Sequence, residues 1–289
     1  MLSGDGPGDR ISRGVKRRNR PNTVEEPLVL IHLVADYGFG DLAFAEVRLR
    51  LAAVLPEADV VHTPVPAFDT LSAGFCVGQL ALTEGPVDRI VYSNVAPRGD
   101  EEDPRPGNEG ERLVAARLPS GVLVVGANST YAFSFVRDEA VELHEVVVPE
   151  SSSQFRSRDV FPTLIAELAA GNREVLGAAV PPDRISDVPE RTVVYVDGYG
   201  NLKTSWTAPP ARVGERVRVL VGDVEGWAVV SDGTFSVPAG ETSFAPGSSG
   251  WRTRHGEPRR FYELFARGGS AADLFGNPTA GTLVEISDG

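Results

Sequence analysis

Sulfur-containing residues are nearly absent from this sequence, which has one cysteine and one methionine among 289 residues. The single cysteine, Cys76, excludes an intramolecular disulfide and fits the reducing environment of a cytoplasmic protein. The four histidines lack the spacing of metal ligands, so we expect no metal site. Long apolar runs are missing too: the longest, residues 28–35, is far shorter than the roughly 20 residues of a membrane span.

The signatures of several common enzyme classes are also missing. The sequence has no phosphate-binding P-loop and no GxSxG turn, which argues against P-loop nucleotidases and α/β-hydrolases. Gly198-Tyr199-Gly200 lacks the third glycine and the following helix of a dinucleotide-binding fingerprint. The chemistry must therefore come from polar residues outside these motifs.

Acidic residues outnumber basic ones, and the formal net charge is −12. Residues 1–26 are more basic than acidic and contain no apolar segment, which predicts a disordered basic leader and not a secretory signal. The remaining chain is strongly acidic and would repel phosphate backbones. We therefore expect a cytoplasmic protein that binds neither nucleic acid nor membranes.

Residues 27–180 alternate predicted strands and helices in a βαβαβ order, which is typical of an α/β domain with a mostly parallel sheet. Asp41 is placed to cap the first helix. The predicted strands are 28–35, 58–61, 88–92 and a hairpin of 112–118 and 121–126; the predicted helices are 42–55, 70–82 and Asp159 to Ala170; residues 99–110 are predicted to be an exposed loop.

The second half of the chain has a different composition. Residues 177–191 are rich in Pro and Asp and predict a linker. From residue 191 to 289, short β-type runs alternate with Gly-rich turns, which predicts an all-β, barrel-like domain. Its predicted strands are 192–196, 216–221, 226–231, 261–266 and 282–286.

Polar residues at the ends of predicted strands are the first site candidates. Asp36 ends the first strand, where α/β sheets bind ligands, and could accept hydrogen bonds from ribose hydroxyls; the alternative is a turn-forming aspartate. For Asp197, an Asx-turn is the simplest interpretation. Residues 151–159 cluster hydroxyl and guanidinium donors before a helix, which favours either an anion site or a capped helix with solvated arginines.

Several short segments, taken in chain order, form a wider pattern. They are Ala35-Asp36-Tyr37-Gly38, Ala67-Phe68-Asp69, Val91-Tyr92, the run from Gln154 to Asp159, the run from Asp197 to Asn201, the turn from Gly247 to Gly250, and the run from Leu264 to Arg267. Together these segments resemble the S-adenosylmethionine (SAM) hydroxide adenosyltransferases and their fluorinase and chlorinase relatives. The chain looks like a divergent member of this family, which attacks SAM at the ribose C5′.

The resemblance implies a role for each matching residue. Tyr92, Ser157 and Arg158 would be catalytic, with Tyr92 and Ser157 lining the nucleophile pocket. The substrate-binding residues would be Asp36 on the ribose, Phe68 at the sugar–sulfonium region, Asp197 and Ser248 on the methionine ammonium and carboxylate, Asn201, Arg267 and Phe235 on adenine, and Asp41, Asn128 and Ser249. The family further implies a homotrimer with sites at subunit interfaces, and SAM as substrate without a metal.

Three positions depart from the family pattern. The hydroxide enzymes use an Asp-Arg-His set, but Tyr92 takes the Asp position and Arg156 the His position. Val95 stands where the halogenases keep a threonine. The sequence therefore predicts SAM-dependent adenosyl transfer to a small nucleophile, chloride or another halide or water, with release of L-methionine. The alternatives are a degenerate protein that binds SAM or adenosine without turnover, and a relative with different SAM chemistry in specialised metabolism.

Overall fold

The computed structural model describes residues 29–97, 110–151 and 153–288. The predicted leader (1–26) and nearly all of the predicted loop at 99–110 lie outside these residues. The strands form two seven-stranded sheets, one in each half of the chain. In the described part of the chain, no helix is long and apolar enough to cross a membrane.

The first sheet is mostly parallel, as predicted. It contains β1 (Val29–Ala35), β2 (Ala58–Pro64), β3 (Ile90–Asn94), β4 (Leu113–Arg117), β5 (Leu123–Ala127), β6 (Glu142–Val146) and β7 (Leu176–Ala179) in the order β2-β1-β3-β5-β4-β6-β7. Strands β2, β1, β3 and β5 are parallel, and the antiparallel pairings β5–β4, β4–β6 and β6–β7 reverse only β4 and β7. The predicted hairpin is β4–β5.

Helices cover both faces of this sheet. Helix α1 (Leu42–Val54) and helix α4 (Phe161–Ala169) share an apolar core with one face, and α2 (Thr70–Leu82) packs on the other. Asp69 begins α2, because its carboxylate accepts the Ser72 N–H at 2.8 Å. The bounds of α2 agree with the prediction.

Two boundaries near the end of this half were predicted wrongly. The helix expected from Asp159 to Ala170 is split into a short α3 (Arg156–Asp159) and α4. Asp159 therefore closes one helix and does not cap the next, and its carboxylate binds Ser153 and Arg158. The linker predicted at 177–191 overlaps β7, which pairs with the edge of β6 although its composition resembles a loop.

The second sheet curls toward a half-barrel, which supports the barrel-like prediction in part. Its strands are β8 (Val193–Val196), β9 (Leu202–Thr204), β10 (Arg216–Val221), β11 (Val224–Val230), β12 (Thr242–Arg252), β13 (Pro258–Ala266) and β14 (Val284–Asp288) in the order β14-β10-β11-β12-β13-β9-β8. A single bridge between Thr192 and Leu283 brings the two edge strands together. A short helix, α5 (Ala271–Leu274), precedes β14. Strands β9 and β12 were not predicted from the sequence.

Helix α2 also joins the two halves of the chain. Phe75 of α2 packs in a buried aromatic cluster with Phe135, Trp251 and Phe261, the last two from the second sheet. Gln79 of the same helix exchanges two hydrogen bonds with the backbone of Gly250. The contact between α2 and the second sheet therefore combines apolar packing with hydrogen bonds between specific residues.

Candidate functional site

The carboxyl end of β1 positions Asp36, the first predicted ligand residue. Strands β1 and β3 end side by side, with Ala35 opposite Asn94. Asp36 Oδ2 accepts a 2.9 Å hydrogen bond from the backbone N–H of Phe68. Phe68 has a left-handed backbone (φ 63°), and its ring is half exposed. The structure thus joins two residues assigned to the sugar, at an edge where α/β sheets bind ligands.

Three hydroxyl-bearing residues meet next to Asp36. The Tyr37 hydroxyl donates to Ser157 Oγ at 2.9 Å, and the Tyr92 hydroxyl donates to the Ser157 backbone carbonyl at 2.8 Å. Tyr92 is fully buried in β3, and Ser157 is 5% exposed. The two residues predicted to line the nucleophile pocket are therefore in direct contact, and Tyr37 completes the cluster. We call Tyr37, Tyr92 and Ser157 the hydroxyl cluster.

Burial raises the pKa values of both phenols in this cluster. Burial raises the pKa of Tyr37; the Ser157 hydrogen bond opposes that shift, and the Asp36 carboxylate adds to it. Burial likewise raises the pKa of Tyr92 well above its ordinary value. Both phenols therefore stay protonated at neutral pH and act as donors. Because Ser157 Oγ accepts from Tyr37, its own hydrogen is left to donate to a ligand.

Arg158 holds α3 against α1. Its guanidinium binds Glu46 Oε2 at 3.0 Å and Asp159 Oδ1 at 2.7 Å, and it lies 4.8 Å over the Phe155 ring. The hydrogen bonds from Arg158 and Ser153 lower the pKa of Asp159 to about 2. These contacts fix the short helix that carries the hydroxyl cluster's serine. The catalytic role of Arg158 stays a prediction.

Two further predicted ligand residues have contacts with the backbone. Asp41 Oδ1 accepts the Ala43 N–H at 2.8 Å, which confirms its predicted capping of α1. The backbone N–H of Asn128, just after β5, donates to the carbonyl of Arg112 at 2.8 Å. Substrate binding by Asp41 and Asn128 stays a prediction.

In the second sheet, Asp197 forms the Asx-turn that the sequence indicates. Its Oδ1 accepts the backbone N–H groups of Tyr199 and Asn201 at 2.9 and 3.0 Å. Its Oδ2 accepts the Asn201 side-chain amide at 3.0 Å and lies 3.6 Å from Lys203 Nζ. The turn therefore orients two predicted ligand residues, Asp197 and Asn201, together.

Ser248 and Ser249 lie in a bulge of β12. The strand register jumps between Pro246 and Gly250, so three residues of β12 oppose a single residue of β13. The bulge turns Ser248 outward into solvent, whereas Ser249 is buried.

Phe235 and Arg267, both assigned to adenine, are in contact. The Arg267 guanidinium carbon lies 5.9 Å from the centre of the Phe235 ring, and the guanidinium also donates to the carbonyl of Val237 at 2.5 Å. The Phe235 ring is 85% exposed, so a flat face is open to solvent beside a fixed cation.

The predicted site residues form two separate groups. Across the described ranges, no hydrogen bond, ion pair or aromatic contact joins the group on the first sheet to the group on the second. A cleft of about 330 Å³ lies elsewhere, between the end of α4 and strands β4 to β6, and none of the predicted residues lines it. Within residues 29–97, 110–151 and 153–288, no group of three His, Cys, Asp or Glu could hold a metal ion.

Three residues of the two groups, Tyr37, Lys203 and Glu263, were not among the predicted site residues. Tyr37 directly follows Asp36 in the same turn, and an aromatic hydroxyl at a strand end was the available signal. Lys203 and Glu263 form a buried ion pair across 60 residues of sequence, and nothing local indicates that they meet.

Comparisons with known proteins agree with this architecture. A solved structure of an uncharacterized conserved protein from Thermotoga maritima covers 89% of this chain and 100% of its own, with 19% identity and a TM-score of 0.66. A conserved hypothetical protein from Thermus thermophilus covers 90% and 100%, with 23% identity and a TM-score of 0.62. At these identities the likeness establishes the fold.

A family comparison goes further than the fold. The family described as SAM hydroxide adenosyltransferase N-terminal domain matches residues 31–177, which is just over half of the chain and includes the whole hydroxyl cluster. The chain therefore belongs to the SAM hydroxide adenosyltransferase family, and this membership supports SAM-dependent adenosyl chemistry in general.

Proposed function

We propose that this protein transfers the adenosyl group of SAM to a small nucleophile by SN2 attack at C5′. The bond from the nucleophile to C5′ forms as the C5′–S bond breaks, and the electron pair stays on sulfur. The sulfonium leaves as the neutral thioether of L-methionine, so the leaving group needs no proton. The protein has to align and desolvate the nucleophile. The hydroxyl cluster next to Asp36 is the observation that carries this proposal.

Chloride fits the cluster better than water does. Attack by water needs a group that accepts its proton, whereas a halide needs only donors and exclusion of bulk water. The Tyr37 and Tyr92 hydroxyls both donate to Ser157, and the nearly buried Ser157 hydroxyl then has its own hydrogen to give to an anion. Water remains the alternative nucleophile, because Asp36 supplies a carboxylate next to the cluster.

We further propose that a second copy of the chain completes the site, in a homotrimer. The ribose-side and amino-acid-side groups are separate within one chain, as a shared site requires. Large apolar side chains near both groups are exposed, among them Phe39 (97%) and Phe235 (85%). Burial of such rings stabilises an interface by about 25 cal/mol for each Å² of apolar surface. Light scattering that finds a monomer still able to bind SAM would contradict the trimer.

Incubation of the purified protein with SAM, with and without chloride, tests the reaction. Product analysis by liquid chromatography and mass spectrometry should detect L-methionine and 5′-chloro-5′-deoxyadenosine in chloride. Adenosine in both buffers would instead identify water as the nucleophile. SAM binding with no nucleoside product under either condition would refute turnover and leave a binding protein. The double variant Arg218→Met/Glu225→Gln removes an exposed ion pair of the second sheet and serves as a control, because it should form the same products as the wild type.

A further inference from the structure

A buried ion pair lies under the amino-acid side of the candidate site. Lys203 of β9 and Glu263 of β13 stand directly opposite each other in the sheet. Lys203 Nζ is 2.9 Å from both carboxylate oxygens of Glu263. The two side chains are 9% and 1% exposed. Such a pair loses nearly all of its hydration when the protein folds.

The stability of the fold alone does not explain why this buried ion pair is present. Removing two charges from water costs several kcal/mol for each ion, and their mutual attraction roughly balances that cost. Apolar replacements of buried pairs are often neutral or stabilising. The location of Lys203 and Glu263 therefore points to another role.

Both predicted contacts for the methionine end of SAM rest on this pair. Asp197 Oδ2 lies 3.6 Å from Lys203 Nζ. On the other side, Gly247 of the β12 bulge covers the carboxylate so closely that an added Cβ would lie 1.8 Å from Glu263 Oε1. The pair thus sits between the Asp197 turn and the bulge that carries Ser248.

The charges in this cluster do not cancel. Two carboxylates and one ammonium leave one negative charge, and Asp197 is the most exposed of the three, with 21% of its side chain accessible. An ammonium group arriving at Asp197 would neutralise the cluster.

We propose that Lys203 and Glu263 are positioning residues that hold Asp197 in place for the α-ammonium of the methionine moiety. This inference rests on the proposed function and names the residues that position its amino-acid contact. Lys203 contacts the Asp197 carboxylate, and Glu263 prevents Lys203 from turning fully to Asp197 and occupying the place of the ligand's ammonium.

The test is isothermal calorimetry on the double variant Lys203→Met/Glu263→Gln, which removes both charges and keeps the side-chain shapes. Two probes are titrated, SAM and adenosine, which lacks the amino-acid end. SAM should bind about tenfold more weakly, because Asp197 loses the Lys203 contact that positions it although the cluster keeps one negative charge. Adenosine affinity should stay within about twofold, since its contacts lie elsewhere. The variant Arg218→Met/Glu225→Gln should bind both probes as the wild type does.

The outcomes separate this inference from the proposed function. SAM binding by the double variant at wild-type affinity would overturn the inference alone. Equal weakening of SAM and adenosine would also overturn it, because general damage to the fold affects both probes. If wild-type protein binds neither probe, the proposed function fails and the inference fails with it. The single variant Lys203→Arg keeps the positive charge, so it should retain most of the wild-type affinity for SAM. That result would support the inference.

Discussion

Replacement of Ser157 by alanine tests whether the hydroxyl cluster takes part in catalysis or only stabilises the fold. The change removes the Oγ that accepts the 2.9 Å hydrogen bond from Tyr37, but it leaves the backbone carbonyl that accepts from Tyr92. Tyr37 then loses one of its two side-chain partners, Ser157 and Asn94, in a largely buried position, which costs about 1 kcal/mol of unfolding free energy. Loss of a donor to an attacking anion should in addition lower turnover on the order of a hundredfold.

Two variants make that measurement specific. Tyr37→Phe removes the other partner of the same bond but keeps the Ser157 hydroxyl, so turnover should fall less than in Ser157→Ala. Ser134→Ala is a matched control, because Ser134 is also buried and donates a 2.7 Å hydrogen bond to the carbonyl of Ser186. It should lose about 1 kcal/mol of stability without a change in turnover.

The assays are urea unfolding followed by circular dichroism, and product formation at saturating SAM. SAM affinity should be nearly unchanged in Ser157→Ala, because the serine contacts the nucleophile and not the substrate. If Ser157→Ala and Ser134→Ala lose similar stability and both keep wild-type turnover, Ser157 is only a structural residue and the reasoning is refuted.

Three other predictions follow from single residues. Asp36→Ala should weaken SAM binding by about 1–3 kcal/mol through lost ribose hydrogen bonds, and equal calorimetric affinities would contradict this assignment. Burial raises the pKa of Cys76 to about 12, so a thiol reagent at pH 8 should label native protein far more slowly than urea-unfolded protein; equal rates would contradict it. The pKa of Asp159 falls from 3.8 to about 2 on folding, so its ion pair with Arg158 stabilises the fold above pH about 4 and loses that effect as the pH falls toward 2. Asp159→Asn should make the melting temperature depend less on pH over this interval. An unchanged pH dependence would argue against a stabilising Asp159–Arg158 ion pair.

The parts of the fold that could be predicted are those with local signals. Helix α2 was predicted with its observed bounds; Asp69 caps it, and most of the residues that follow are apolar. Strand β12 was missed because glycine, serine and proline interrupt it, and its bulge is stabilised by β13 and not by its own sequence. The split between α3 and α4 was missed although Pro162, in the first turn of α4, lacks the backbone N–H that would continue the preceding helix.

The contacts of the candidate site also divide into local ones, which the sequence predicts, and long-range ones, which it does not. The Asp197 turn forms from residues four positions apart, so its chemistry is readable in the sequence. The Tyr37–Ser157 bond spans 120 positions, and the Lys203–Glu263 pair spans 60. Only the folded sheets create these contacts, because nothing in the local composition at either end specifies the partner.

The shared helix α2 also determines how the protein should come apart. Its two faces pack against different sheets, and Gly78 allows such close approach that an added Cβ would lie 2.7 Å from Phe135 and 3.2 Å from Trp251. Loss of either sheet would expose the aromatic cluster and leave the helix with one apolar face in water. The two sheets should therefore melt in one cooperative transition, with coincident curves from different spectroscopic probes.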